Sequence, residues 1–519
     1  MTARRDMPHV AVIGGGATGC GVARDLILRG FIVTLIETGD LGCGTSSRFH
    51  GMLQSGARYA VSDTGYAAEC MRDRRAVAAL APETVEETGG LFVALEEDPA
   101  DYADLFLAGC RAADIPVTEL DPGRVMADEP NISRRVRRAF AVPDATVQPW
   151  RLLNLLADDI RSRGGTILTR HRVTAVQRAG GRVVALTVEG GGNSRNMPVD
   201  VVVNAAGPWA GEVAHMFEAG IDLELTKGSI LVFGHRLVSR AVNRCRPPTS
   251  HDIMVPTGTV SLFGTTSQIV DDPGTTAVRP EEIQALLDGA EPMVPGIRGY
   301  RVLRAWAGVR PLVKPANWRP GNPLPRSHRV IDHTEGGLVG AITICGGSFT
   351  SHRSMAEDAG NHVCRHFGVN EPSRTAKTPL RTMAAGNEGW RPGANYEHTE
   401  TGRSFVQLLC ECENVPCSAV EALVEGNDMR SLHDIRRRLR VGFGPCQGTF
   451  CGARLASMVA SAGGDGHEEL ARFWGERLKG ATLAAYGTNA RQLILSDLVH
   501  RETLGIELRD SVDTRQDRS

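Results

Sequence analysis

The sequence predicts an α/β protein: a Rossmann-type dinucleotide-binding domain interleaved with an antiparallel-sheet domain, followed by a small α-rich module. Three observations carry that reading. A β-branched run from Val10 to Ile13 meets Gly14, Gly16 and Gly19, continues as a helix-like stretch to Arg29, and returns as an apolar run from Phe31 to Ile36 closed by Glu37. Between Lys227 and Leu312 the apolar segments alternate, as they do in a half-buried antiparallel sheet. Finally, five of the 12 cysteines crowd between residues 410 and 451.

Length and composition set the outer bounds. A chain of 519 residues exceeds what one hydrophobic core serves, so several domains are expected. With 42% apolar and 23% charged residues it has the make-up of a globular protein, and a net charge of −2 gives no general electrostatic case for nucleic acid. No apolar run approaches the roughly 18 residues that would span a bilayer. The first eight residues lead directly into a strand, leaving no separate signal peptide, so a cytoplasmic protein is expected. The seven scattered cysteines (Cys20, Cys43, Cys70, Cys110, Cys245, Cys345 and Cys364) suit a reducing compartment.

The first βαβ unit explains its own glycines. In G-x-G-x-x-G, Gly14 permits the tight turn, Gly16 lets backbone approach a pyrophosphate, and Gly19 lets the helix pack on the strand. The pyrophosphate then sits on a helix N-terminus, where N–H groups and the helix dipole favour anions. Glu37 ends the second strand 23 residues beyond Gly14, where a carboxylate can accept hydrogen bonds from an adenosine ribose. The next stretch, Gly42 to Tyr59, is rich in small and hydroxylated residues and suits a loop running beneath the cofactor.

That fingerprint, followed by Thr45-Ser46-Ser47 and Ser55-Gly56-Ala57-Arg58-Tyr59, resembles the FAD-dependent glycerol-3-phosphate dehydrogenases of the glycine oxidase/D-amino-acid oxidase structural group. It is especially similar to the flavoprotein component of the anaerobic, iron–sulfur-containing enzymes. Asn204-Ala205-Ala206-Gly207-Pro208-Trp209, Lys227-Gly228-Ser229, Phe263-Gly264-Thr265-Thr266 and Ala307 to Leu312 resemble family segments in the same order, and the agreement covers residues 8 to 365. The resemblance implies an FAD-dependent oxidoreductase domain over 8–370, with FAD-binding segments at about 8–60, 165–212 and 330–365 and substrate segments at about 85–150 and 213–325. It implies FAD contacts at Gly14, Gly16, Ala17, Thr18, Gly19, Glu37, Thr45, Ser46, Ser47, Val173, Ala205, Gly207, Gly346, Gly347, Phe349 and Thr350. Arg58, Tyr59 and Arg310 fall at substrate-facing positions, and His50 is a candidate base or a structural hydrogen-bonding histidine.

Further along, residues 65–82 and 150–163 have the pattern of amphipathic helices, and Thr166 to Leu168, Val173 to Val176, Arg182 to Leu186 and Val201 to Val203 that of strands. Leu338 to Ile344 predicts a strand, followed at Gly346-Gly347 by a helix from about Thr350 whose N-terminus favours negative charge. Pro372, Pro379, Pro392, Gly386, Gly389 and Gly393 mark a linker over 371–403. The following module, 404–460, presents Cys410, Cys412, Cys446 and Cys451 as C-x-C-x33-C-x4-C, a set of four thiolates able to hold a soft metal centre. Zinc ribbons favour wider gaps between paired ligands. The single-residue gap resembles the [2Fe-2S] domain typified by bacterioferritin-associated ferredoxin, with zinc and an unmetallated module as the alternatives. Cys417 lies outside the pattern. The run Arg436, Arg437, Arg438 and Arg440 is a counter-charge to such a centre, a dock for an acidic partner, or a solvated helix face. Residues 461–519 form a helical extension.

The family's reaction is oxidation of sn-glycerol 3-phosphate to dihydroxyacetone phosphate, with quinone as final acceptor through associated electron-accepting or membrane-anchoring subunits. This chain would then sit in the cytoplasm or peripherally on the inner face of the membrane. Two positions depart from the family pattern: its Gly-Gly-Lys reads Gly346-Gly347-Ser348 here, and its His-Ser-Gly reads Gln54-Ser55-Gly56. Losing a charge-assisted contact typically costs about 1.5–3 kcal/mol, enough to change the preferred substrate. Another polyol phosphate, a 2-hydroxy acid or an amino acid is therefore an alternative, as is a non-catalytic role in electron transfer. His352, Arg353 and Lys227 are candidates to compensate for the missing lysine.

Overall fold

The computed structural model describes residues 7–315, 318–319, 324–380, 407–425 and 431–507. Its first sheet runs in the order His328–Asp332, Ala341–Gly346, Val201–Asn204, His9–Ile13, Ile32–Glu37 and Thr166–Thr169. All neighbours are parallel except the first pair. The glycine fingerprint follows the strand His9–Ile13, which is central and buried on both faces as parallel strands are. Its side chains alternate accordingly. Val10 and Val12 join a core with Leu26, Leu156, Ile160 and Ala359, from the helices Ala17–Leu28, Pro149–Ser162 and His352–Phe367. Ala11 and Ile13 join the opposite core with Val173, Leu186 and Val188, from a three-stranded antiparallel sheet.

The second large sheet has nine strands and is built from two separated stretches of chain. Leu223–Phe233 is its hub: it pairs antiparallel with Val260–Gly264, Gln268–Val270 and the long strand Val302–Val313, setting Thr226 opposite Arg310 and Ile230 opposite Trp306. One pair, Ala241–Arg244 with Gly90–Leu95, is parallel. Those two strands belong to different excursions from the dinucleotide-binding domain, so no hairpin constrains them to be antiparallel. Helix Pro280–Ala290 closes the outer face through Ile283, Leu286 and Leu287.

Residues 371–380, the start of the stretch read as a linker, pack against the first helix. Arg29 donates to the Glu371 carbonyl at 2.8 Å and Arg24 to that of Thr375 at 3.2 Å. Residues 381–403 lie outside the described residues. Beyond them, a hairpin of Leu408–Cys410 and Val415–Pro416 and the helices Cys417–Glu425, Leu432–Leu439, Cys451–Ser461 and Gly466–Leu478 share one core of Leu409, Val420, Ile435, Leu455, Val459 and Phe473. The extension continues as Ala481–Ala484 and Gly487–Leu498. Ala484 joins the core of the second sheet, tying the extension to it. Among the described residues no helix is long and apolar enough to cross a membrane.

Candidate active site

A single connected cavity of about 3020 Å³ opens at the carboxyl end of the parallel strands and reaches across to the second sheet and the C-terminal module. Every residue assigned above to FAD or substrate contact lines it except Gly19. The exception has a physical reason. A Cβ at Gly19 would lie 1.8 Å from the Gly14 carbonyl oxygen, so Gly19 acts by letting the helix descend onto the turn. Gly14 has φ +112° and its missing side chain would meet the Ala205 carbonyl at 2.6 Å. At Gly16 a Cβ would meet only the Ser46 side chain, and Gly16 itself, the N-cap residue, brings no side chain to the helix that follows. The space beside that helix end is thus left to a ligand, bounded by Ser46, whose hydroxyl accepts from the Ala17 N–H at 2.9 Å. Glu37 accepts from the Gly15 N–H at 2.6 Å and the Gly39 N–H at 2.7 Å, which fixes its carboxylate and leaves part of its acceptor capacity towards the cavity. This cradle fits a dinucleotide.

At the far end of the cavity Arg310 dominates. Its guanidinium donates to Thr265 Oγ1 at 2.8 Å and to the Thr266 carbonyl at 2.9 Å, with no ion pair to a carboxylate among the described residues. Burial pushes it down to about 10, and Arg326 and Arg58 act in the same direction. A half-buried cation facing open space among other cations has the chemistry to receive an anion. Arg58 is more committed, donating to the Thr249 carbonyl at 2.6 Å and to Asp252 at 3.3 Å. Tyr59 packs beside Tyr66 with ring centroids 5.2 Å apart. His50 is pushed down to about 3 by burial, then by Arg58 and Arg310, so it is neutral at physiological pH. Its Nδ1 accepts the Met52 N–H at 3.3 Å, which places the ring proton on Nε2.

The two departures from the family pattern touch each other: Gln54 Nε2 lies 3.4 Å from Ser348 Oγ. None of the three candidate substitutes for the missing lysine faces the cavity. Lys227 pairs with Glu282 at 2.8 Å, Arg353 with Asp73 at 2.6 Å, and His352 is held by the Phe349 carbonyl at 2.9 Å. Arg326, from an irregular stretch with no motif to mark it, is the cation that accompanies Arg310 instead.

The basic run of the module is not a solvated face. Arg437 pairs with Asp40, Arg438 with Asp158 at 3.7 Å, and Arg440 with Glu413 at 2.8 Å, while Arg436 lines the cavity. Arg170 reaches Asp434 at 2.8 Å and Trp150 meets Phe443 edge-on at 4.7 Å. The module therefore forms part of the cavity wall.

Cys410, Cys412, Cys446 and Cys451 converge behind that wall. Cys412 and Cys451 lie against the Cys446 sulfur, towards which the N–H groups of Gly448 and Phe450 are also turned, and these neighbours hold Cys446 well below the usual thiol range. Cys410 is lowered by Cys451 and by the Gly442 and Glu413 N–H groups. Among the described residues no three His, Cys, Asp or Glu side chains close into a one-ion cage. The sulfurs form a chain, Cys412–Cys446–Cys451–Cys410, and it presents two neighbouring pairs. Two pairs with backbone N–H donors aimed at the sulfurs fit a two-iron centre.

The family model described as FAD dependent oxidoreductase matches residues 9–360, and the one described as BFD-like [2Fe-2S] binding domain matches residues 408–461. The chain is 37% identical to the A component of the anaerobic glycerol-3-phosphate dehydrogenase of Escherichia coli, over 96% of this chain and 97% of that protein. It is 34% identical to the A1 component of the corresponding Haloferax volcanii enzyme, over 96% and 90%. A D-erythritol 1-phosphate dehydrogenase of Brucella abortus is 30% identical over 69% and 73%. Among solved structures, the FAD-complexed glycerol-3-phosphate dehydrogenase of Bacillus halodurans superposes with a TM-score of 0.64 at 21% identity, covering 93% of this chain and 96% of that one, a likeness of fold.

Proposed function

The chain belongs to the FAD-dependent oxidoreductase family, with FAD as its cofactor and a [2Fe-2S]-binding domain behind it, and from that premise we propose that it oxidises sn-glycerol 3-phosphate to dihydroxyacetone phosphate. The observation that carries the substrate class is the half-buried Arg310 guanidinium, which no carboxylate among the described residues pairs, at the end of the dinucleotide cavity. When bound, FAD supplies a two-electron acceptor and the [2Fe-2S] centre a one-electron outlet. The reaction removes a hydride equivalent from the carbinol carbon and a proton from its hydroxyl, the proton passing to water in the open cavity. Arg310 and Arg326 hold the anionic end of the substrate, and the positive charge of Arg310 favours negative charge developing on the reacting oxygen. Neutral His50 orients that oxygen through its Nε2–H. Arg58 and Tyr59 shape the wall, Arg58 being held in place by Asp252.

Electrons then leave to a partner protein on a quinone-linked respiratory route. The Escherichia coli and Haloferax volcanii relatives are each named as one subunit of an enzyme, which implies further subunits there. In this chain Phe450, between the ligands Cys446 and Cys451, is 69% exposed and offers a contact surface close to the centre. A second reading, another polyol phosphate as substrate, is favoured by the Gln54–Ser348 contact standing where the family has His and Lys. Anaerobic mixing with each candidate separates the two. Bleaching of the flavin absorbance by sn-glycerol 3-phosphate supports the first. Bleaching by D-erythritol 1-phosphate alone replaces it with the second, and bleaching by neither of these nor by any hydroxy acid removes the catalytic reading.

A further inference from the structure

Between the dinucleotide cavity and the four cysteines the chain gathers more positive charge than it neutralises, one arginine of the group buried and two half-buried. Arg304 on the strand Val302–Val313, Arg436 on the helix Leu432–Leu439 and Arg477 on the helix Gly466–Leu478 converge on one stretch of the cavity wall. One carboxylate, Glu476, acts on all three, and it is already bonded to Lys479. Arg304 Nε and both Nε and Nη2 of Arg477 are buried without a hydrogen-bond partner among the described residues. Arg477 is only 5% exposed. Its remaining nitrogen donates to Gln447, inside the Cys446–Cys451 loop, at 3.4 Å, and its guanidinium lies over Phe443 at 5.3 Å and Phe473 at 5.1 Å. The sulfur of Cys451 is among the charges that act on it.

Unpaired guanidinium groups in a low-dielectric wall are costly unless an anion stands nearby. A centre ligated by four thiolates is such an anion, and it becomes one unit more negative on reduction. Placing positive charge on its inner side stabilises the reduced form more than the oxidised one. We propose that Arg477, backed by Arg436 and Arg304, raises the reduction potential of the thiolate-held centre and so draws electrons out of the dinucleotide cavity one at a time. This inference rests on the reading that Cys410, Cys412, Cys446 and Cys451 hold a [2Fe-2S] centre. The step is the movement of one electron; no bond forms or breaks and no proton has to accompany it.

The test is a redox titration of the intact protein, following the iron–sulfur signal by electron paramagnetic resonance. Arg477→Gln is expected to lower the midpoint potential by about 59 mV, a tenfold shift in a one-electron equilibrium. Arg477→Lys, which keeps the charge, should stay near the parent value. Flavin bleaching by substrate should be unchanged in both. An unshifted potential in an Arg477→Gln protein with its full iron–sulfur spectrum overturns the proposal. Should that variant fail to fold, Arg436→Gln and Arg304→Gln are each expected to shift the potential in the same direction by less, and no shift in either overturns it equally. A parent protein with no reducible iron centre refutes the underlying [2Fe-2S] reading instead, so the two failures are told apart.

Discussion

Arg310 illustrates how a side chain can be costly to the fold and useful to the site. Replacing it with Met removes a half-buried charge that no carboxylate among the described residues pairs, while keeping most of the apolar stem. The expected outcome is a protein at least as thermostable as the parent, with unchanged flavin content. Its kcat/KM for a phosphorylated substrate should fall by about 10- to 100-fold, matching the loss of about 1.5–3 kcal/mol for a charge-assisted contact. Thermal melts and steady-state assays with a dye acceptor check both halves. His50 gives a pH prediction of definite sign. Its folded value of about 3 lies below the ordinary 6.5, so between those limits the unfolded chain binds a proton that the folded chain excludes. Stability from this group is complete above pH 6.5 and declines as pH falls through that window. Denaturant melts of parent and His50→Asn should converge as the pH is lowered. Neither residue announced itself by spacing: the family resemblance placed Arg310 and His50 near the substrate, but only the packing reveals that one is an unpaired cation and the other a neutral donor.

The βαβ element is where sequence and structure agree most directly, because Gly14 and Gly19 answer contacts within the same unit or at the end of the adjoining strand, and Gly16 faces the loop just beyond it. Gly19→Ala would set a Cβ 1.8 Å from the Gly14 carbonyl, so the helix Ala17–Leu28 must lift from its strand. Overpacking of this kind costs about 1–3 kcal/mol. The variant should purify with a markedly reduced flavin-to-protein absorbance ratio; a normal ratio would mean the helix can shift without disturbing the cradle. That the four cysteines come together was legible for a related reason, since short spacings within two loops survive as local geometry. The arginine wall was not. Arg304, Arg436 and Arg477 are far apart in sequence and lie on three elements, and the run containing Arg436 reads equally well as a solvated face until Asp40 and Asp158 are found opposite its neighbours. Likewise the parallel pair within the second sheet depends on which excursion of chain arrives beside which, something alternation of apolar residues does not encode.

At the scale of the whole molecule the C-terminal extension clasps the second sheet. Gly480 has φ +67°, and a Cβ there would lie 2.3 Å from the Ala305 carbonyl. Gly480→Ala should therefore push the extension off the strand Val302–Val313, at a cost of about 1–3 kcal/mol. Hydrogen exchange should accelerate over residues 481–498, with the parallel sheet unaffected; unchanged exchange would show that the clasp tolerates the methyl group. The shared cavity also bears on protein engineering. Because its walls come from residues as distant as Ile13 and Leu483, an exchange of the C-terminal module between relatives would join half-chambers shaped for different counterparts. A working hybrid would have to import Asp40, Trp150, Asp158 and Arg304 along with the grafted iron–sulfur module, treating the seam as the unit of inheritance.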